Sequence, residues 1–370
     1  MATKTTRSKL SGDAKTAKQT ELGLTVVSLF AGAGGLDIAA CQTGKVGRLF
    51  STDSNGTFLQ TVINNIPKHF PKVRHCHLVS DAHAVTGDTV RKAFGVGCID
   101  LVIGGPPCDD FTSAGQKKGA LGNKSPLIFQ YARMIKEMRP RAFLFENVPN
   151  LKRMCGPLFD ELQNKLSDLG YSLKTSILEA SAFGVPSIRK RIFIAGFDDN
   201  EAASSFAFPQ ATHGASHSQE LLFSPKHGIK PFVTVGDVLS DLSDASPLNS
   251  GMHLNHTARL HRPETVEHLK SVPQGIAVNR SYRYRAPWLG LCRSLTAGLD
   301  DSAKAYIHPI YHREMTVREY ARIHGFPDTW EFSGKLDNGL KQVANAVPVP
   351  LGCAVLGQLV WTLLKGGDDE

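Results

Sequence analysis

A cysteine preceded by two prolines is the residue in this chain best suited to covalent chemistry. Cys108 ends the segment Gly104-Gly105-Pro106-Pro107-Cys108, directly after an apolar run at residues 99–103. The prolines restrict the backbone before the thiol, and open α/β sheets place ligands at the carboxyl ends of their strands. We predict that Cys108 acts as a nucleophile in its thiolate form. The alternative is a buried cysteine without reactivity, the commoner state of an isolated one.

A carboxyl group and a basic cluster follow further along the chain. Glu146 ends the apolar run at residues 142–146. Because low-dielectric surroundings raise the pKa of a carboxyl group, we predict that Glu146 is a proton donor, unless it only caps a helix or forms an ion pair. A basic cluster enters a later apolar run, where it either binds substrate or forms a solvated strand edge. This cluster consists of Arg189, Lys190 and Arg191.

A glycine-rich turn near the N-terminus has the composition of a nucleoside-binding loop. It reads Phe30-Ala31-Gly32-Ala33-Gly34-Gly35-Leu36, and Asp53 follows the next apolar run. Glycines let a ligand approach the backbone, and a carboxylate about twenty residues later can bind ribose hydroxyls. Neither Gly-x-Gly-x-x-Gly spacing nor a following Lys-Ser/Thr is present, so a nucleoside without phosphates fits better than a nucleotide. The alternative is a purely structural turn.

These candidate residues lie at the ends of strand-length apolar runs that alternate with helical periods. The runs occupy residues 24–30, 47–52, 98–103, 142–146 and 191–197. Helical spacing is clearest at residues 125–138, which Ser125 can cap with Pro126 in the first turn, and at residues 157–169, which Gly170 ends. The alternation predicts an α/β fold with a doubly wound, mostly parallel sheet covered by helices on both faces.

Composition divides the chain into four parts. The 370 residues, 41% of them hydrophobic, suit one large domain and a smaller one. Residues 199–290 are rich in Ser, His, Pro and Gly, and regular periodicity returns after them. We predict a disordered basic tail (1–22), a catalytic domain (23–198), an irregular recognition domain (199–290) and a segment that returns to the catalytic domain (291–370).

Charge and cysteine usage restrict the class of protein. A net charge of +8 favours a polyanionic partner. The seven cysteines are scattered without a Cys-x-x-Cys pair, which argues for a reducing compartment and against disulfides and structural zinc. No unbroken run of about 18 apolar residues and no signal peptide are found, so we expect a cytoplasmic protein without a membrane span.

In order and type, the motifs resemble those of the cytosine-C5 DNA methyltransferases, specifically the prokaryotic modification enzymes. No single motif is specific to this family. The order of all the motifs, with a long insert after the basic cluster, is highly specific. The resemblance spans nearly the whole chain after the tail. The matching segments are residues 30–35, Pro107-Cys108, Glu146-Asn147-Val148, Arg189-Lys190-Arg191, and the C-terminal segments 316–319, 325–328 and 342–348.

The resemblance implies a role for each motif. Cys108 would add to C6 of a cytosine flipped out of the duplex, so that C5 can accept a methyl group from S-adenosylmethionine. Glu146 would protonate or hydrogen-bond N3 of the cytosine, and Asn147 follows it in the same motif. Arg189 would hold O2, with Arg191 beside it. No metal is implied. The residues implied to bind the donor are Phe30, Ala31, Gly32, Gly34, Gly35, Leu36, Asp53, Asp81 (adenine), Pro107 and Asn345 (methionine end).

Several positions depart from the family pattern. Asp109 stands where glutamine usually follows the cysteine, and an added carboxylate there would weaken DNA binding and raise the pKa of Cys108. Ser187 and Ala344 also replace the usual glutamine and glycine. In the recognition domain, residues 280–288 interleave cations with aromatics, which fits either a phosphate-binding surface or a strand with alternating faces. Two histidine pairs there are more readily ordinary surface or DNA-contacting side chains than metal ligands. They are His213 with His217 and His253 with His256.

We therefore expect a monomeric DNA methylase acting on double-stranded DNA in the cytoplasm, associated with the nucleoid and paired with a separate restriction endonuclease. Three alternatives remain. The tRNA-methylating branch of the family usually carries a Cys-Phe-Thr signature, which is absent after the basic cluster. A catalytically weak DNA-binding relative would explain Asp109. A nicotinamide oxidoreductase would use the glycine turn and Asp53, but gives no role to Cys108 or Glu146.

Overall fold

The computed structural model describes residues 23–95, 97–107, 127–215, 228–246, 253–278, 283–295 and 306–365. The predicted tail, Cys108, Asp109 and the predicted helix cap at Ser125 lie outside these residues, as do His217 and residues 280–282. The expectations for them are therefore untested by the fold.

A seven-stranded sheet forms the centre of the chain. Its strand order is β3-β2-β1-β4-β5-β7-β6, and all neighbouring pairs are parallel except those that involve β7, which is antiparallel to both β5 and β6. This architecture confirms the predicted α/β fold with a mostly parallel sheet. The strands are β1 (Leu24–Leu29), β2 (Val46–Asp53), β3 (Arg74–Val79), β4 (Leu101–Gly104), β5 (Ala142–Asn147), β6 (Ser172–Glu179) and β7 (Lys190–Phe197).

Helices cover both faces of this sheet and build two apolar cores. One face carries α1, α2 and α12, and the other carries α3, α4 and α6. The helices are α1 (Gly35–Gln42), α2 (Gly56–His69), α3 (Gly87–Phe94), α4 (Leu127–Met138), α5 (Asn150–Met154), α6 (Gly156–Asp168), α7 (Asn200–Ser205), α8 (Val235–Leu239), α9 (Pro263–Lys270), α10 (Val317–Ile323), α11 (Leu336–Asn345) and α12 (Val349–Lys365).

Burial explains which strands the sequence reveals. Every residue of β1, β4 and β5 is buried, so these strands are continuous apolar runs. The sequence analysis did not find β3 and β6, whose residues are mostly half-buried or exposed. Both strands lie at the edges of the sheet, where polar side chains face water and weaken the apolar pattern.

The C-terminal chain completes the core. Helix α12 packs on α1 closely enough that a Cβ at Gly352 would lie 2.9 Å from the Ala39 side chain. The helical stretch Leu336–Lys365 has a mean hydropathy of 1.7 over 18 residues and is long and apolar enough to cross a membrane by length and composition alone. The search for an unbroken apolar run overlooked this stretch. Of its most apolar window, 61% is buried inside the fold, as in a core helix of a globular protein.

Residues 199–290 contain only short elements where the structure describes them. Besides α7–α9 these are the two-residue strand pairs His213–Gly214 with Lys230–Pro231, and Ala277–Val278 with Arg283–Tyr284. Arg285 organises this region from a buried position. Its guanidinium donates to the carbonyl oxygens of Leu269, Val272, His308 and Tyr311. Carbonyls from loops that lie apart in the sequence thus replace regular secondary structure.

Candidate active site

A cavity of about 580 Å³ opens at the carboxyl edge of the sheet. It collects most of the predicted site residues, although they come from six strands and the C-terminal chain. These lining residues are Phe30, Ala31, Gly32, Gly35, Leu36, Asp53, Asp81, Pro107, Glu146, Asn147, Arg189, Arg191 and Asn345. Gly34 does not line the cavity but lies directly behind its wall, and Cys108 follows the lining residue Pro107 in the sequence.

A buried ion pair lines the cavity. Glu146 ends β5, and its Oε1 lies 2.7 Å from Nε of Arg191 at the start of β7, with both side chains about nine-tenths buried. Burial raises the pKa of the Glu146 carboxyl, and the neighbouring Arg191 and Arg189 partly oppose this rise. The pair therefore combines a carboxyl group disposed to hold a proton with an arginine that balances negative charge.

Gly105 leaves the space that this carboxylate occupies. A Cβ at Gly105 would collide with Oε2 of Glu146. The sequence analysis quoted Gly105 only as part of the cysteine motif. Its role was missed because the reason for glycine here is an approach across the sheet from β5, not a turn.

Asn147 connects the Glu146 strand to the cysteine motif. Its Nδ2 donates to the carbonyl oxygen of Pro106 at 3.0 Å, and its Oδ1 accepts from the Val148 amide at 2.7 Å. Both of its polar atoms are thus used within the protein, so Asn147 fixes the backbone two residues before Cys108.

Arg189 is placed differently from Arg191. Its side chain is 1% exposed and donates to Ser294 Oγ and to the carbonyl oxygens of Leu295, Ala344 and Ala346. The contact of Arg189 with cytosine O2 stays a prediction. In the structure its terminal nitrogens are engaged with these groups, so Arg189 ties the segment around Asn345 to the sheet, while Arg191 contacts Glu146.

The glycine-rich loop between β1 and α1 has a left-handed backbone at three positions. Phe30, Gly32 and Gly34 have φ values of 55°, 55° and 87°, in the left-handed region. A non-glycine residue such as Phe30 is uncommon there, and such strain concentrates at ligand sites. A Cβ at Gly32 would have no atom within 4 Å, so this backbone faces open space in the cavity.

Two carboxylates lie near this loop. The carboxylate of Asp53 accepts from the Gly32 amide and the Asn55 amide, each at 2.8 Å, and burial raises its pKa. Asp81 accepts from the His83 amide and its side chain is half exposed. Asn345, the last residue of α11, is exposed and lines the same cavity.

Two residues of the wall were missed. Ser294 and Leu295 line the cavity and bind Arg189 through side-chain and backbone oxygens. No local sequence signal marks them, because they reach the site from 105 and 106 residues away in the chain.

Part of the expected recognition surface is buried instead. Tyr284 and Arg285 are each 4% exposed, so these two side chains are not part of an exposed phosphate-binding surface. Because Ala286 is buried as well, a strand with alternating faces is not observed here either. His256 is also buried, and its ring nitrogens bind Thr316 Oγ1 and the Ser243 carbonyl. Within the described residues, no three His, Cys, Asp or Glu side chains converge as a metal site.

Sequence and fold both resemble known proteins. The family profile described as C-5 cytosine-specific DNA methylase matches residues 24–361. The type II methyltransferase M1.HphI of Haemophilus parahaemolyticus is 28% identical over 90% of this chain and 86% of its own length. M.PspPI, a type II methyltransferase of a Psychrobacter species, is 30% identical over 93% of this chain and 80% of its own length. A DNA modification methyltransferase encoded within an E. coli prophage has the same fold, with a TM-score of 0.68 and 24% identity over 92% of this chain and 99% of that one.

Proposed function

From the premise that the chain belongs to the C-5 cytosine-specific DNA methylase family, we propose how its residues share the work of methylation. The protein is a DNA (cytosine-5)-methyltransferase, and S-adenosylmethionine is its methyl donor. The observation that carries the proposal is the Glu146–Arg191 pair, 2.7 Å apart, in the same cavity as the glycine-rich loop and Asp53. Base chemistry and donor binding therefore meet in one enclosed space.

Cys108 is the proposed nucleophile. Its thiolate forms a bond to C6 of the cytosine, and the electron pair of the C5–C6 bond moves toward C5 and the N3–O2 side of the ring. Support comes from Pro107, which lines the cavity immediately before Cys108, and from Asn147, which holds the Pro106 carbonyl. The base must leave the helical stack to reach this cavity.

Glu146 and Arg191 manage the charge that the attack creates. With its raised pKa, Glu146 can hold a proton at N3, while Arg191 lies beside it to balance charge at O2. C5 then forms a bond to the methyl carbon, and the electron pair of the broken methyl–sulfur bond stays on the donor sulfur. When a base removes the C5 proton, the thiolate leaves and the aromatic ring is restored.

The same cavity also fits a nucleoside donor. Asp53 is placed for ribose hydroxyls, Asp81 for the adenine and Asn345 for the methionine end, and the open space above Gly32 admits a ligand against the backbone. When bound, the donor supplies a methyl group on a positively charged sulfur. Our proposal for the remaining donor contacts follows the cavity wall: Phe30, Ala31, Gly35, Leu36 and Pro107.

The biological setting follows from the relatives. Type II methyltransferases among them suggest a modification enzyme of a restriction system, with the companion nuclease acting separately. We further propose that residues 199–290 select the DNA sequence, that the enzyme acts as a monomer, and that it stays in the cytoplasm on nucleoid DNA.

Two experiments test the chemistry. Cys108→Ser should abolish methylation of duplex DNA while the dissociation constant for S-adenosylmethionine stays within about twofold of wild type, because serine is a far weaker nucleophile at the same position. Duplex containing 5-fluorocytosine should form a covalent complex stable to denaturing gels, since fluorine at C5 cannot leave as a proton. Bisulfite sequencing of DNA from cells that express the enzyme locates the product. Full activity of the serine variant, or label on any atom other than C5, would reject the mechanism.

A further inference from the structure

One buried tryptophan from the C-terminal chain lies directly beneath the glycine-rich loop between β1 and α1, the proposed donor loop. Trp330 has no solvent exposure, and its Nε1 donates to the carbonyl oxygen of Ala33 at 3.2 Å. A Cβ at Gly34 would lie 3.0 Å from Cζ2 of Trp330, so the indole packs against the glycine backbone itself. The two partners are 297 positions apart in the sequence.

The loop above this indole needs external support. Phe30, Gly32 and Gly34 all have positive φ, and the side that faces the cavity at Gly32 has no protein atom in contact. Phe30, as a non-glycine residue, persists in this sparsely populated region only where its surroundings fix it, whereas the glycines have many alternative conformations that the surroundings must exclude. On the inner side, Trp330 supplies a hydrogen bond to Ala33 and a close contact to Gly34.

Trp330 is itself held by a buried arginine. Arg318 has no exposed surface, and its Nη2 donates to the Trp330 carbonyl at 2.7 Å while Nη1 and Nε donate to the carbonyls of Pro327 and Leu254. Burial lowers the pKa of Arg318 to about 10, so the guanidinium remains charged at neutral pH and its hydrogen bonds are charge-assisted. On the outer side, the His69 ring lies 5.4 Å from the indole, between centroids.

We propose that Trp330 is a positioning residue for S-adenosylmethionine: it holds the donor loop, through Ala33 and Gly34, in the conformation that binds the donor. The inference rests on the proposed function, because the donor loop is assigned there. It predicts that removing the contacts of the indole weakens donor binding, while kcat and the KM for DNA stay unchanged.

Trp330→Phe tests this most directly, because phenylalanine retains an aromatic ring but cannot donate to Ala33. We expect the dissociation constant for S-adenosylmethionine, measured by calorimetry without DNA, to rise about fivefold to tenfold, as loss of one buried hydrogen bond implies. The KM for the donor should rise equally, with kcat and the KM for DNA within about twofold of wild type. Trp361→Phe is the matched control, since Trp361 is 49% exposed on α12 and stacks with Lys365.

His69→Ala is the second variant, because it removes the outer contact of the indole from a half-buried position and keeps Trp330 intact. It should raise the donor dissociation constant about twofold to threefold. The proposal is overturned if the folded Trp330→Phe variant binds the donor as wild type does, or, where that variant does not fold, if His69→Ala does. A purely structural role would lower the melting temperature of both variants without changing donor affinity. Donor calorimetry does not depend on methyl transfer, so it separates this inference from the proposed function.

Discussion

Gly105→Ala should disable the enzyme through the carboxylate of Glu146. The added methyl group would overlap Oε2 of Glu146, so the carboxyl must rotate and its 2.7 Å contact with Arg191 is lost. Displaced proton donors cost about 100-fold to 10,000-fold in rate, and an overpacked site costs about 1–3 kcal/mol in stability. We expect kcat for transfer of labelled methyl to duplex DNA to fall by about 100-fold, with the donor dissociation constant unchanged.

A control and a second background make this prediction specific. Gly97→Ala adds the same methyl group where no atom lies within 4 Å, so its kcat should match wild type. In a Glu146→Ala background the clash disappears, and Gly105→Ala should then cause no further loss of kcat or of melting temperature. If Gly105→Ala retains kcat within about twofold of wild type, or if its effect persists unchanged beside Glu146→Ala, the steric argument is refuted.

Three other perturbations follow from the described contacts. Glu146→Gln should remove the alkaline limb of the kcat–pH profile, because the raised pKa of Glu146 keeps the acid protonated only up to that pKa; a limb that persists would assign it to another group. Arg191→Lys should lower kcat at least about tenfold, because lysine cannot replace the guanidinium contact with Glu146. Arg189→Lys should mainly raise the KM for the donor, since Arg189 holds the carbonyls beside Asn345. Equal effects of the two variants on kcat would contradict these separate roles. Burial raises the pKa of Asp37 from 3.8 to about 6 in the folded protein. The free energy of unfolding should therefore fall by about 3 kcal/mol as pH rises from below 3.8 to above 6. Urea unfolding of Asp37→Asn should lack this dependence on pH.

The sequence predicted the parts of the site that lie at the ends of buried parallel strands. Asp53 is the last residue of β2, Glu146 lies near the end of β5, and Pro107 follows β4. Most residues of these strands are buried, so their apolar runs are visible in the sequence. Since parallel strands end at the same edge of a sheet, residues that follow them must come together. This rule requires only the strand positions, so it holds without knowledge of the strand order.

Contacts made by backbone atoms were beyond the reach of sequence reasoning. Arg189 and Arg318 both bind carbonyl oxygens, which every residue carries, so no partner residue type marks these contacts. Gly105 and Trp330 were missed for a related reason, because each acts on a segment far away in the chain. Such features depend on how loops pack, and the loops that form them have no periodicity.

The basic cluster reaches the site only because one strand runs against the others. Arg191 lies near the start of β7, and it contacts Glu146 at the end of β5 because β7 is antiparallel to β5. In a parallel strand of eight residues the same arginine would lie at the opposite edge of the sheet, about 25 Å away. Glu146 lies near the end of its strand, and Arg191 lies near the beginning of its own. Two such residues on neighbouring strands can share one site only where the strands are antiparallel. The antiparallel β7 is thus as necessary to the proposed chemistry as the residues it carries.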